Sequence, residues 1–197
     1  MWNRISKHHL FWPLMVLAAL LLFNLVYKPG FFSIRIQGGH LYGSLIDILN
    51  YGAPLILVAI GMTLVIATGG IDLSVGSVVA IAGAVACLIV SKSSDQNSVV
   101  LVLAAVGVAL VLSLLLGLWN GVLVAGAGMQ AIIATLILMV AGRGIAQLVT
   151  SGQIINVTSG PYKYIGAGWL ALLPFSVFIV AAVWLAAAEG LRSAPER

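Results

Sequence analysis

The sequence predicts an all-α protein: a polytopic membrane helical bundle of about six transmembrane helices, with one helix broken near Gly69 and Gly70. Charged residues make up 7% of the chain and hydrophobic residues 62%. An average soluble domain has roughly 25% charged and about 45–50% apolar residues. Residues 48–71 and 96–142 carry no Asp, Glu, Lys or Arg. Such stretches exceed the roughly 20 apolar residues that a helical span needs, so they place the chain in a membrane.

The uncharged runs and their interruptions divide the chain into six predicted spans within one transmembrane domain, residues 1–197. Helices surrounded by lipid and protein are apolar all round, so length locates them better than periodicity does. The spans are expected near residues 10–27, 50–68, 73–91, 98–118, 129–149 and 168–188. The links at 91–97 and 151–168 are expected to be ordinary loops, and a helix or an interfacial turn could begin within 42–50.

Basic residues indicate the orientation of the first span. The formal charge of +4 does not predict a nucleic-acid partner here, because the basic residues lie mostly in short connections. Arg4 and Lys7 precede the first apolar run, which predicts a cytoplasmic N-terminus. A signal peptide is the competing interpretation, but the apolar run is too long and no small-x-small cleavage site follows it. Lys28 and Arg35 then fall on the outer side, against the same rule, and leave the later orientations open.

Asp72 is a lone carboxylate between two uncharged stretches. Gly69 and Gly70 are poor helix formers, each costing about 1 kcal/mol relative to Ala, so the helix is expected to break there and restart near Asp72 or Ser74. Asp72 would accept the N–H groups of Ser74 and Val75 and favour the positive end of the helix dipole. In the structural interpretation, Asp72 caps the helix that restarts after the break. In the functional interpretation, which is compatible with the first, the broken helix lies beside a translocation path.

Further polar groups accompany this segment or stand alone in apolar surroundings. Arg143 must extend toward the membrane surface or pair with Asp72 or Asp47. Asn120 either forms an interhelical hydrogen bond or contacts a substrate. The candidate residues for the helix break and translocation path are therefore Gly69, Gly70, Asp72, Ser74, Ser77, Asn120 and Arg143. Small residues at four-residue spacing also predict packed helix faces, at Gly76, Ala80 and Ala84 and at Gly117, Gly121 and Ala125.

Motifs of catalysis and of nucleotide binding are missing from the sequence. It has no Gly-x-Ser-x-Gly elbow, no His-Glu-x-x-His motif and no pair of cysteines for a metal, since Cys87 stands alone. No Lys follows a Gly, so a Walker A loop is excluded. The sequence therefore predicts a protein that is not an enzyme and has no cofactor or metal. Its energy would come from an ion gradient or a partner.

The run GMTLVIATGGIDLSVGS at residues 61–77 resembles the signature of permease subunits in bacterial ATP-binding-cassette importers of the ribose, xylose and galactofuranose group. Three further segments resemble the same family in the same order. They are LWNG at 118–121, QAIIATL at 130–136, and the stretch from GRGIA at 142–146 to GQII at 152–155. The N-terminal half is most similar to the galactofuranose permeases.

The resemblance implies a multi-pass subunit of the bacterial inner membrane that moves a monosaccharide, galactofuranose among the candidates, by alternating access. Its implied partners are two cytoplasmic ATP-binding subunits, a second permease subunit of the same or a different kind, a periplasmic sugar-binding protein and membrane lipid. No nucleic acid is implied. ATP hydrolysis is expected in the partners, and no covalent chemistry on the sugar is expected.

The length of the chain departs from the pattern of this family, whose members are usually much longer and carry in their second half the cytoplasmic loop that engages the ATPase. The final residues, 186–197, do not resemble the expected continuation of a span. The sequence therefore predicts a truncated product or one piece of a split permease. Two alternatives stay open: a remnant or assembly partner that does not transport, and a self-contained secondary transporter or channel.

Overall fold

A computed structural model describes residues 10–28 and 30–193, and within them the chain forms seven α-helices. These are α1 Phe11–Tyr27, α2 Ser44–Ala67, α3 Val75–Ser91, α4 Val99–Gly121, α5 Ala131–Thr150, α6 Gly160–Ala167 and α7 Phe175–Ser193. A π-helical turn, Val122–Gly126, continues α4. Two short antiparallel hairpins lie in the connections, β1 Arg35–Gln37 with β2 His40–Tyr42 and β3 Trp169–Leu170 with β4 Leu173–Pro174. The predicted all-α fold is confirmed.

Each of the six predicted spans overlaps one of the long helices. Four helices are long and apolar enough to cross a membrane: α2, α4 with its π-helical turn, α5 and α7. The other two, α1 and α3, are apolar but have 17 residues each. That each of the six crosses the membrane stays a prediction.

Two expectations about the connections are wrong. The predicted loop at 151–168 contains α6, whose Ser159 side chain accepts the Tyr162 N–H over 3.2 Å and whose first turn contains Pro161. Ser at the N-cap and Pro in the first turn are ordinary helix-start signals. The last helix begins at Phe175 rather than near 168, because the β3–β4 hairpin occupies the residues before it and the Phe175 N–H donates to Gly168 O over 2.8 Å.

The best-packed part of the bundle is α3, which lies against both α4 and α5. Its contact with α4 forms a core of Ala86, Val90, Val102 and Ala105. The predicted small-residue faces are not the ones that pack, since Gly76, Ala80 and all three residues of the α4 face are exposed. The buried face of α3 instead begins at Ser77, one position along the helix.

Of the other long helices, α2 and α7 pack against each other, and α1 lies at the periphery. α2 lies beside α7, and the Ser176 hydroxyl donates to Asn50 Oδ1 over 2.7 Å. No side chain of α1 is buried.

Several connections meet at one end of the bundle, which we call the hairpin end: residues 30–43, 92–98 and 151–174. The Leu41 N–H donates to Leu172 O over 3.1 Å, which joins the two hairpins. The Thr158 hydroxyl donates to Gln96 Oε1 over 2.9 Å, which joins the loops after α3 and α5. Connections 68–74 and 122–130 lie at the opposite end, the break end. Helices α1 to α5 therefore alternate in direction, and α7 runs parallel to α2.

Candidate functional site at the helix break

The break after α2 begins with a hydrogen-bonded turn. The Gly69 N–H donates to Ile66 O over 2.9 Å and the Gly70 N–H donates to Val65 O over 3.0 Å. These two bonds form a Schellman motif, which requires a left-handed residue just past the helix end. Gly69 is that residue, with φ of 77°. The predicted break is confirmed, and the reason is the left-handed turn rather than low helix propensity alone.

Asp72 is hydrogen-bonded to Ser74, the N-cap residue of α3. Its Oδ1 atom accepts the Ser74 N–H over 2.7 Å and the Ser74 hydroxyl over 2.6 Å. The Ser74 carbonyl then accepts the N–H groups of Ser77 and Val78, which are the first hydrogen bonds of the helix. The sequence predicts the Val75 N–H as the second donor to Asp72, whereas in the structure that donor is the Ser74 hydroxyl. The carboxylate still lies beside the positive end of α3.

Asn120 connects the last turn of α4 to this helix start. Its side chain is 6% exposed, and its Nδ2 atom donates to Ser74 Oγ over 2.9 Å. The interhelical hydrogen bond, one of the two interpretations of this residue, is therefore present. Asn120 Oδ1 accepts no hydrogen bond, and among the described residues it is the only buried side-chain nitrogen or oxygen without a partner.

Ser77 joins α3 to α5. Its buried hydroxyl lies 2.7 Å from Ser74 O and 3.1 Å from Leu138 O of α5, and its single hydrogen is directed to one of these two carbonyls. The helices approach closely here because Gly142 faces Ser77. A β-carbon at Gly142 would lie 2.8 Å from Ser77 Cβ, closer than real contacts allow.

Thr135 of α5 completes the surroundings of the break. Its hydroxyl donates to Ala131 O over 2.8 Å and lies 3.5 Å from Ile71 O, in the segment between the glycines and α3. Thr135 and Gly142 are missing from the candidates predicted from the sequence. The available signal is that both residues fall within the segments 130–136 and 142–146 that carry the family resemblance.

Arg143 does not join this network. It is exposed on α5, next to Gly142, and adjacent residues on a helix point in different directions. Within residues 10–28 and 30–193 it forms no ion pair with Asp72 or Asp47, so that alternative is wrong. The structure thus joins four candidates by hydrogen bonds, places Gly69 and Gly70 immediately before them and leaves Arg143 outside. We call the joined set the break network: Asp72, Ser74, Ser77 and Asn120.

The break network can bind through hydrogen bonds, with one carboxylate and no other ionisable side chain among its members. No group of three or more His, Cys, Asp or Glu side chains that could hold a metal ion is found among the residues that the structure describes. Hydrogen bonding is the chemistry that the side chains of the break network offer.

Comparison with known proteins identifies the family. A family model described as "Branched-chain amino acid transport system / permease component" matches residues 44–191, a range that contains the entire break network. The chain belongs to this permease family. Its relatives in the family are transport components rather than catalytic enzymes.

Three curated members of the permease family illustrate the similarity. The chain is 49% identical over 178 residues to the galactofuranose transporter permease protein YtfT of Escherichia coli (strain K12), covering 88% of this chain and 50% of the relative. It is 35% identical over 187 residues to the fructose import permease protein FruF of Bifidobacterium longum (strain NCC 2705), covering 92% of this chain and 51% of the relative. It is 38% identical over 164 residues to the ribose import permease protein RbsC of Escherichia coli (strain K12), covering 81% of this chain and 47% of the relative.

These relatives confirm the resemblance to permeases of the ribose, xylose and galactofuranose group. The chain spans about half the length of the curated relatives it matches. No solved structure matches it significantly.

Proposed function

We propose that the chain is a membrane-spanning permease subunit of an ATP-driven monosaccharide importer, with galactofuranose as the first candidate substrate. The observation that carries this proposal is the 49% identity to a galactofuranose transporter permease across 88% of the chain. The description of the matching family model mentions branched-chain amino acids. The curated relatives with 35–49% identity are instead named for galactofuranose, fructose and ribose, which favours a sugar.

The proposed assembly lies in the bacterial inner membrane and includes a second permease subunit, identical or different. Cytoplasmic ATP-binding subunits would supply the energy, and a periplasmic sugar-binding protein would deliver the substrate. A cytoplasmic N-terminus, as Arg4 and Lys7 predict, directs the hairpin end to the periplasm and the break end to the cytoplasm. That orientation follows from the alternating directions of α1 to α5.

We assign the break network to the translocation path. Its support is the concentration of buried polar side chains on three neighbouring helices: Ser74 and Ser77 are each 1% exposed, Asn120 6% and Thr135 4%. In an apolar bundle, irregular backbone and polar side chains are tolerated where protein buries them or where they line a watery cavity. Gly69 and Gly70 form the turn that brings Asp72 and Ser74 to this place. Arg143 is not included in the proposed path.

A transport assay tests the proposal. The chain would be expressed in an Escherichia coli strain that lacks its galactofuranose permease and retains the partner subunits of that transporter. We expect uptake of labelled galactofuranose to return, and to stop when the ATP-binding subunit carries a substitution of its Walker A lysine.

The two alternatives predict different results in the same assay. Uptake that persists without an active ATP-binding subunit would indicate a secondary transporter or channel. A chain that reaches the membrane at normal levels and restores no uptake of galactofuranose, ribose or fructose would indicate a protein that does not transport.

A further inference from the structure

In the break network and its neighbour Thr135, no hydroxyl hydrogen is free to donate to a further acceptor. Each of the three hydroxyl groups carries one hydrogen. The Ser74 hydrogen is directed to Asp72 Oδ1, the Ser77 hydrogen to Ser74 O or Leu138 O, and the Thr135 hydrogen to Ala131 O. One of the two Asn120 amide hydrogens is donated to Ser74 Oγ, and the other cannot reach the Oδ1 atom of its own amide. Every side-chain hydroxyl in the cluster is therefore already committed.

Two acceptors are left open. Asn120 Oδ1 is buried without a donor, and the second carboxylate oxygen of Asp72 has no partner among the described residues. Exchanging the oxygen and nitrogen of the Asn120 amide does not remove the deficit. The Ser74 hydrogen would have to leave Asp72 Oδ1, and the amide nitrogen would lose its acceptor. A buried carbonyl oxygen left unpaired destabilises the folded state, so the position favours a ligand that donates.

We propose that Asn120 Oδ1 accepts a hydrogen bond from a hydroxyl group of the transported sugar. This inference rests on the proposed function and adds a specific contact to it. A monosaccharide presents several hydroxyl donors, and Asn120 Oδ1 is the buried acceptor that has no donor within the network. A site that leaves a polar atom unpaired rejects an analogue that lacks the matching hydroxyl. A bound water supplies the same O–H group, so the experiment must separate these two sources.

The sugar reaches Asn120 after a movement of the end of α4, since the side chain is 6% exposed in this conformation. The π-helical turn Val122–Gly126 follows Asn120 directly, and π-helical turns are frequent at functional sites. Alternating access provides the second conformation.

The test compares wild-type protein and Asn120→Leu in the complete importer, with labelled galactofuranose and its singly deoxygenated derivatives. Wild-type transport should discriminate against one derivative by about 2- to 10-fold, the range for one neutral hydrogen bond. In Asn120→Leu that discrimination should disappear, while discrimination at the other positions persists. Because both importers use the same sugar-binding protein, its own preferences cancel in the comparison. Ser113→Ala is the matched control on α4, since this hydroxyl bonds only to Ala109 O.

Three outcomes would overturn the inference. One is an equal reduction of uptake for all derivatives by Asn120→Leu at normal membrane levels, as expected for a bound water. Another is a wild-type importer that transports every derivative at the same rate as the parent sugar. This outcome can be measured without any variant. The third applies if Asn120→Leu does not reach the membrane. Asn120→Asp is then the variant to measure, because it keeps an acceptor oxygen at this position. Loss of the selective discrimination in Asn120→Asp would contradict the inference. A wild-type importer that takes up no sugar would instead contradict the proposed function.

Discussion

At the scale of single residues, Gly142 sets how closely α3 and α5 approach. A β-carbon there would lie 2.8 Å from Ser77 Cβ and 3.2 Å from Ile81 Cδ1. We expect Gly142→Ala to destabilise the protein by about 1–3 kcal/mol through overpacking. The measurement is the thermal denaturation midpoint in detergent. Gly144→Ala is the control, because nothing lies within 4 Å of its added carbon. Gly144→Ala should raise the free energy of unfolding by about 0.5–1 kcal/mol through helix propensity. Equal shifts of the denaturation midpoint in both variants would therefore contradict the close contact between Gly142 and Ser77.

Substitutions of Asp72 can separate its hydrogen bonds to Ser74 from any role of its charge. Asp72→Asn keeps an oxygen for the Ser74 N–H and hydroxyl, so we expect membrane levels and thermal stability near those of wild type. Asp72→Leu removes the acceptor of both hydrogen bonds and should lower the free energy of unfolding by about 1–3 kcal/mol. Loss of uptake in Asp72→Asn at normal levels would assign a function to the negative charge. Unchanged stability in Asp72→Leu would show that the two hydrogen bonds do not support the fold.

Residues with unusual chemistry for their surroundings were predictable from the sequence, and residues defined by a packing face were not. Asp72 and Asn120 stand out as polar groups in apolar runs, and the structure places both in the break network. Thr135 and Gly142 are unremarkable in composition. Their importance depends on which face of α5 meets α3, and a helix that is apolar all round does not reveal that face.

At the scale of elements, the end of α2 depends on one left-handed residue. Gly69 has φ of 77°, a conformation that costs an L-residue about 1–2 kcal/mol. We therefore expect Gly69→Ala to lower the thermal denaturation midpoint. Gly61→Ala, inside α2 with nothing within 4 Å of the added carbon, should leave it unchanged or raise it. Equal stability of the two variants would show that the turn does not require glycine.

Long helices follow from the lengths of apolar runs, whereas the short elements required other information. α6 carries a helix-start signal at Ser159 and Pro161, but its eight residues are too few to form an apolar run of the length of a span. The two hairpins are joined through the Leu41 to Leu172 hydrogen bond and the stacking of His40 on Trp169, with ring centroids 5.2 Å apart. Contacts between residues so far apart in sequence are not visible in local patterns.

At the scale of the whole molecule, the connections separate into two ends, and labelling with a membrane-impermeant maleimide tests this arrangement. In a Cys87→Ala background, Ser94→Cys and Gln153→Cys place single thiols at exposed positions of the hairpin end. Ala127→Cys places one at the break end. We expect the first two to react from the periplasm and the third only after the inner membrane is permeabilised.

The labelling outcomes test two statements separately. If only one of the two variants Ser94→Cys and Gln153→Cys reacted from the periplasm, the two connections would not lie at the same end of the bundle, and the described fold would be contradicted. The reverse pattern for all three variants would preserve the fold and invert the proposed orientation.

The Schellman turn and the Asp72 cap also bear on how the chain enters the membrane during synthesis. Joined without a break, α2 and α3 would form a rod about 70 Å long, more than twice the roughly 30 Å of a bilayer core. A ribosome-bound insertion machinery would meet a long apolar segment with a carboxylate midway, where a charge at the bilayer centre is most unfavourable. Because the Gly69 and Gly70 N–H groups are paired within the turn, the segment would instead form two antiparallel helices whose connection carries Asp72 to the aqueous boundary. With both helices crossing the membrane, as the sequence predicts, the break would set the number of crossings of this stretch before any substrate is encountered.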